Sequence, residues 1–127
     1  MPLIKVELAR GKERGYLLEL QNTVLAAVRE ALKLPEDDRN IRLIQHDPDF
    51  FILKPPYELL VEITLFSGRS KEVKKQLFRH LVDTLHEKLE IAPETVFIVL
   101  SDQPLENWGG RGGVAADEVN LGFKIDV

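Results

Sequence analysis

The chain has 127 residues, 44% of them apolar and 30% charged, which suits one compact domain with a real core and a well-solvated surface. Its formal net charge of −4 gives no global attraction to nucleic acid or anionic membrane, whose binding faces are basic. The absence of cysteine removes disulfides, thiol nucleophiles and cysteine metal sites together.

In Leu3-Ile4-Lys5-Val6-Glu7-Leu8, apolar residues alternate with charged ones, which predicts a strand with Ile4, Val6 and Leu8 on one face. With these charges a signal peptide is not expected here, and no stretch approaches the roughly 20 apolar residues that span a bilayer. The cytoplasm is the expected location. Gly11 and Gly15 lie in the connection that follows. Leu17, Leu20, Val24, Leu25, Val28, Ala31 and Leu32 then recur at helical spacing. Pro35 stops this helix, because proline lacks the amide hydrogen and restricts its predecessor. Ile41 to Gln45 reads as a short strand. Residues 47–57, with Pro48, Pro55 and Pro56, form a linker too short to separate domains.

Leu59 to Phe66 is rich in β-formers and predicts a strand. Gly68 follows it, and Ser70 is placed to cap the next helix. That helix buries Val73, Leu77, Phe78, Leu81, Val82, Leu85 and Leu89. After Ala92-Pro93-Glu94, the run Val96 to Leu100 is a strongly apolar strand. The segment 102–127 contains Asn107-Trp108-Gly109-Gly110-Arg111-Gly112-Gly113, either a disordered tail or a loop that closes over something.

The two halves share one order: strand, glycine turn, helix, proline, strand. Leu8-Ala9-Arg10-Gly11-Lys12 aligns with Leu65-Phe66-Ser67-Gly68-Arg69. The chain is therefore an α+β tandem β-α-β repeat, with repeat 1 at about 2–46 and repeat 2 at about 58–101. Each helical crossover leaves its flanking strands parallel. The strand after Pro2 and the strand from Leu59 are expected to be antiparallel neighbours. The result is a four-stranded mixed sheet with both helices on one face. An apolar face left uncovered on the other side is a reason to oligomerise.

A proline directly after the initiator, opening such a repeat, resembles the tautomerase superfamily. Within it, the chain is similar to the malonate semialdehyde decarboxylase-like branch of two-repeat tautomerases. The matching stretches are Pro2-Leu3, Leu34-Pro35-x-x-Asp38-Arg39, Gln45-His46, Gly68-Arg69-Ser70 and Asn107-Trp108. They span nearly the whole chain in the family's order. The resemblance implies a homotrimer of two-repeat subunits, with Pro2 as the catalytic base in a small pocket after removal of Met1. It implies no cofactor. The decarboxylase pattern has two arginines flanking a single residue after the third strand; here Ser67 occupies the first position and Arg69 the second. The dehalogenase relatives place a histidine in the first helix, and this helix has none.

Keto–enol tautomerisation of a small carboxylic acid needs a base with a pKa near ambient pH. A buried secondary amine near cations meets that need. The bland reading of Pro2 is a strand start, where a missing amide hydrogen costs little. Arg69 suits bidentate binding of a substrate carboxylate, or is a solvated residue at a helix start. Asp38 suits hydrogen bonding to a substrate oxygen and Arg39 supplies positive charge, or both belong to an exposed charged turn. Trp108 is a pocket wall or a buried anchor. His46 is a loop-packing residue, and His80 and His86 have the wrong spacing for one helix face, so no metal is expected. Alternatives to a tautomerase are a semialdehyde decarboxylase or hydratase, and a non-catalytic trimeric module retaining the fold.

Overall fold

The computed structural model describes residues 2–121. Six elements carry the fold: β1 (Leu3–Ala9), α1 (Arg14–Leu32), β2 (Ile41–His46), β3 (Leu59–Phe66), α2 (Lys71–Leu89) and β4 (Val96–Gln103). They form one four-stranded sheet in the order β2-β1-β3-β4. β1 is parallel to β2, β3 is parallel to β4, and the two central strands run antiparallel. This is the mixed sheet expected from two β-α-β crossovers joined side by side.

Strand alternation decides which face is buried. Ile4, Val6 and Leu8 of β1, with Val61, Ile63 and Leu65 of β3, are almost fully buried. Leu20, Val24 and Val28 from α1, and Leu77, Leu81 and Leu85 from α2, pack onto them as one cluster. Each such side chain contributes about 1.5–3 kcal/mol relative to exposure, so this layer dominates the stabilising side of folding. Among the described residues, no helix is long and apolar enough to cross a membrane.

The repeat is visible in backbone detail, at a constant spacing of 57 residues. Gly11 and Gly68 both turn the chain out of a central strand, at φ 132° and φ 133°. Helices α1 and α2 each have 19 residues. Each ends on a left-handed residue, Lys33 at φ 54° and Glu90 at φ 56°. The Lys33 amide donates back to the Arg29 carbonyl, and the Glu90 amide to that of His86. The stop therefore lies two residues before Pro35, and the proline only prevents the helix from resuming. The amides of Arg10 and Ser67 close the ends of the two parallel pairs, donating to the carbonyls of His46 and Gln103 at 2.8 Å each.

The structure corrects one expectation and resolves an alternative that the sequence left open. The open sheet face is not uniformly apolar. Lys5 and Glu62 are register partners at its centre, with Arg42 beside Lys5. Apolar side chains gather instead towards β4, where Phe97 and Val99 are about two-fifths exposed. The glycine-rich stretch, as far as residue 121, is an ordered loop. Short 3-10 turns at Leu105–Asn107, Arg111–Gly113 and Ala116–Glu118 fold it, a bridge joins Gly109 to Ala115, and Trp108 and Ala116 bury it against Phe66. The rest of the 102–127 segment, like Met1, lies outside the described residues.

Candidate active site

Pro2 is buried just before the central strand β1, at one end of the sheet. Leu3 is the register partner of Thr64, two residues from the end of β3, and the Ile4 amide donates to the Asn40 carbonyl just before β2. Pro2 therefore stands where β1 and β2 begin and β3 and β4 run out. The loop holding Asp38 and Arg39 and the turn holding Arg69 converge on this same end.

Arg69 is the unusual residue there. Gly68 turns the chain sharply, and the guanidinium folds back so that Nη1 donates to the Phe66 carbonyl at 3.2 Å. The residue is only 6% exposed. Its Nε and Nη2 have no hydrogen-bond partner among the described residues. Burial pushes the pKa of the guanidinium down, while the carboxylates of Asp102 and Asp38 act to raise it. Asp38 and Asp102 thus lie within electrostatic reach, but neither occupies the two unsatisfied donors. Those donors form the parallel edge of a guanidinium that matches a carboxylate in bidentate geometry.

The surroundings are held in place. Asn40 Nδ2 donates to Asp38 Oδ1 at 3.3 Å. Lys74, near the start of α2, forms an ion pair with Asp102. Ser70 Oγ accepts the Val73 amide and caps α2, fixing the helix start beside Arg69. Trp108 is 8% exposed. It meets Phe66 edge-on with centroids 4.8 Å apart, and its Nε1 donates to the Gln103 carbonyl. Its polar group is committed to anchoring the loop, so it offers only ring surface. Arg39 is exposed and lines a shallow depression of about 250 Å³ with Leu3, Asn40 and Arg42. His46 stacks on Phe51 and contacts Glu7, the packing role expected of it.

Asp102 was not singled out in the sequence, although a signal was present. Val96, Ile98 and Leu100 are the helix-facing residues of β4, and the next in that series is Asp102. A carboxylate ending an apolar alternation marks a polar site at the strand's end.

A family model described as tautomerase enzyme matches residues 38–111. A probable tautomerase of Bacillus subtilis (strain 168), YusQ, is 30% identical over 123 residues, covering 91% of this chain and 97% of the relative. The chain belongs to the tautomerase superfamily. The solved malonate semialdehyde decarboxylase is 26% identical, with a TM-score of 0.77 over 87% of this chain and 92% of that one. Native fused 4-OT has a TM-score of 0.82 over 95% and 99% of the two chains at 22% identity, a likeness of fold. A further fused 4-OT, described as a symmetric trimer, has a TM-score of 0.80 at 23% identity, covering 91% and 96%. These structures cover 87%, 91% and 95% of this chain, so both repeats fall within the shared fold.

Proposed function

We propose that this protein is a keto–enol tautomerase of a small 2-keto or enol carboxylic acid, with the amine of Pro2 as general base once Met1 is removed. The observation that carries the reading is the buried, half-satisfied guanidinium of Arg69 at the sheet end where Pro2 and Asp38 also lie. A cation buried without its hydrogen bonds is costly, and a substrate carboxylate supplies both the charge and the acceptors.

In the ketonisation direction, Pro2 nitrogen removes the enol hydroxyl proton. The oxygen's electrons form the carbonyl, the carbon–carbon double bond opens, and the neighbouring carbon takes the proton back from the amine. Arg69 holds the carboxylate and Asp38 positions the hydroxyl. The Trp108 ring closes one wall, and Arg39 adds positive charge at the rim. Burial near Arg69 keeps the amine less basic than a free proline, so that it is unprotonated near neutral pH. No cofactor takes part. The working unit is a homotrimer, in keeping with the uncovered sheet face and the trimeric fused 4-OT.

The test is an ultraviolet assay on Met1-free protein, checked by mass spectrometry, with phenylpyruvate-like enol acids and malonate semialdehyde run side by side. Decarboxylation needs the carboxylate held out of line with the carbonyl while cations collect the electrons, and Ser67 stands at the first of the two arginine positions of that pattern. Ketonisation should therefore have the larger kcat/KM, should rise with pH through the Pro2 pKa, and should collapse in Pro2→Ala. Full activity of that variant, or a larger kcat/KM for decarboxylation, overturns the reading.

A further inference from the structure

A concavity also lies well away from Pro2. It has a volume of about 570 Å³ and lies at the opposite end of the sheet, where β1 runs out and β3 begins. The 57-residue spacing shows what it is. Leu59, which lines it, is the counterpart of Pro2; Lys12 is the counterpart of Arg69, and Thr95 of Asp38. The cavity is the second repeat's version of the Pro2 site.

We infer that this cavity is a second carboxylate site, one that binds the same class of small apolar acid as the Pro2 site and cannot turn it over. The ligand class rests on the proposed tautomerase function; the site itself rests on the geometry. Its floor is apolar, formed by Leu8, Leu20 and Leu59, all nearly buried. Two cations, Arg10 and Lys12, flank Gly11 at the rim. The Pro2 site has Ser67 and Arg69 at these positions, so the second cavity carries the fuller cation pair. Lys12 Nζ lies 5.2 Å from the centre of the Tyr16 ring, and Arg10 pairs with Asp47 across exposed surface at 3.2 Å. Neither contact is strong enough to bar a carboxylate. Glu58 and Glu90 also line the cavity, which selects for a single carboxylate with an apolar body over a highly charged anion.

Chemistry fails there for a covalent reason. Leu59 nitrogen is an amide within the chain, so it has no basic lone pair. The Thr95 hydroxyl donates to the Ala92 carbonyl at 2.7 Å and is no substitute for a carboxylate. The cavity has a carboxylate anchor and an apolar floor but no amine base at the position that Pro2 holds in the first repeat.

The experiment is calorimetric titration with 3-phenylpropanoate, which has no keto group to react, on Met1-free wild type, Arg69→Ala and Arg69→Ala/Arg10→Ala/Lys12→Ala. Arg69→Ala should retain one saturable site per chain. The triple variant should weaken that site by about tenfold or more, as loss of a charge-assisted hydrogen bond dictates. Arg10 and Lys12 are exposed, so the fold should survive, as circular dichroism will show. Arg10→Ala/Lys12→Ala alone should leave enol-acid kcat unchanged. No saturable binding in Arg69→Ala, or equal binding in the triple variant, overturns the inference. Wild-type turnover is read separately, so a failed tautomerase assay alongside retained binding in Arg69→Ala would reject the function and leave the second site standing.

Discussion

Arg69 is a buried cation with two donors that lack hydrogen-bond partners among the described residues. Leaving a buried polar group without its partner costs about 1–3 kcal/mol, more for a charged one. The Nε and Nη2 atoms of Arg69 are in that position, so the unliganded fold carries the cost. Arg69→Met keeps most of the volume and removes the buried charge. Its Tm is expected to equal or exceed that of wild type, while KM for a carboxylate substrate rises about ten- to a hundredfold. One kcal/mol corresponds to about 4 °C in a domain of this size, so a Tm loss beyond that would make Arg69 a structural residue. Tyr16 gives a second single-residue prediction. Burial, and then Glu19, raise its phenol pKa above the ordinary value. The protonated phenol is thus favoured in the folded state. Its contribution is complete below the unfolded phenol's pKa near 10 and is lost as pH rises through the higher folded value. Tyr16→Phe should flatten the alkaline limb of stability above about pH 10, and an unchanged limb in chemical denaturation would refute this.

Elements are where the sequence was most legible, because their signals are local. Apolar alternation marked β1, richness in β-formers marked β3, helical spacing marked both helices, and Ser70 was a visible cap. The ends of elements were less legible. Lys33 and Glu90 take left-handed conformations that a lysine or glutamate does not advertise, since glycine is the usual residue there. Strand β4 continues to Gln103 because register pairing with β3 through Phe66 carries polar residues along with it. The candidate site was legible as a set of residue types, but not as geometry: that Arg69 is buried, and that Asp102 lies within electrostatic reach of it, follows from tertiary packing. The two glycine turns separate strain from function. At φ 132° and φ 133°, alanine in place of Gly11 or Gly68 is strained in the same way, costing on the order of 1–3 kcal/mol. Both variants should lose similar stability in urea titration, yet only Gly68→Ala should raise KM, because only Gly68 aims Arg69. Equal KM values in the two variants would break the link between that turn and the site.

For the whole molecule, the decisive feature is a sheet with helices on one side only. The open face joins a charged centre, Lys5 with Glu62, to an apolar flank at Phe97 and Val99. A face of this mixed kind suits a specific partner better than general aggregation, because the charges must be matched as the apolar flank is covered. A second copy of the chain satisfies both needs, and three copies close a ring in which every open face is used. A stable contact buries roughly 800 Å² per partner. Light scattering at micromolar concentration should therefore give three times the chain mass of 14.5 kDa. Val99→Arg places a cation in the apolar flank without touching the helix-side core, so it should yield folded monomer with normal circular dichroism. If each pocket is completed by a neighbouring subunit, that monomer should lose most of its enol-acid kcat/KM. A wild-type monomer would defeat the trimer, and a Val99→Arg monomer with full activity would show that one chain holds the entire site.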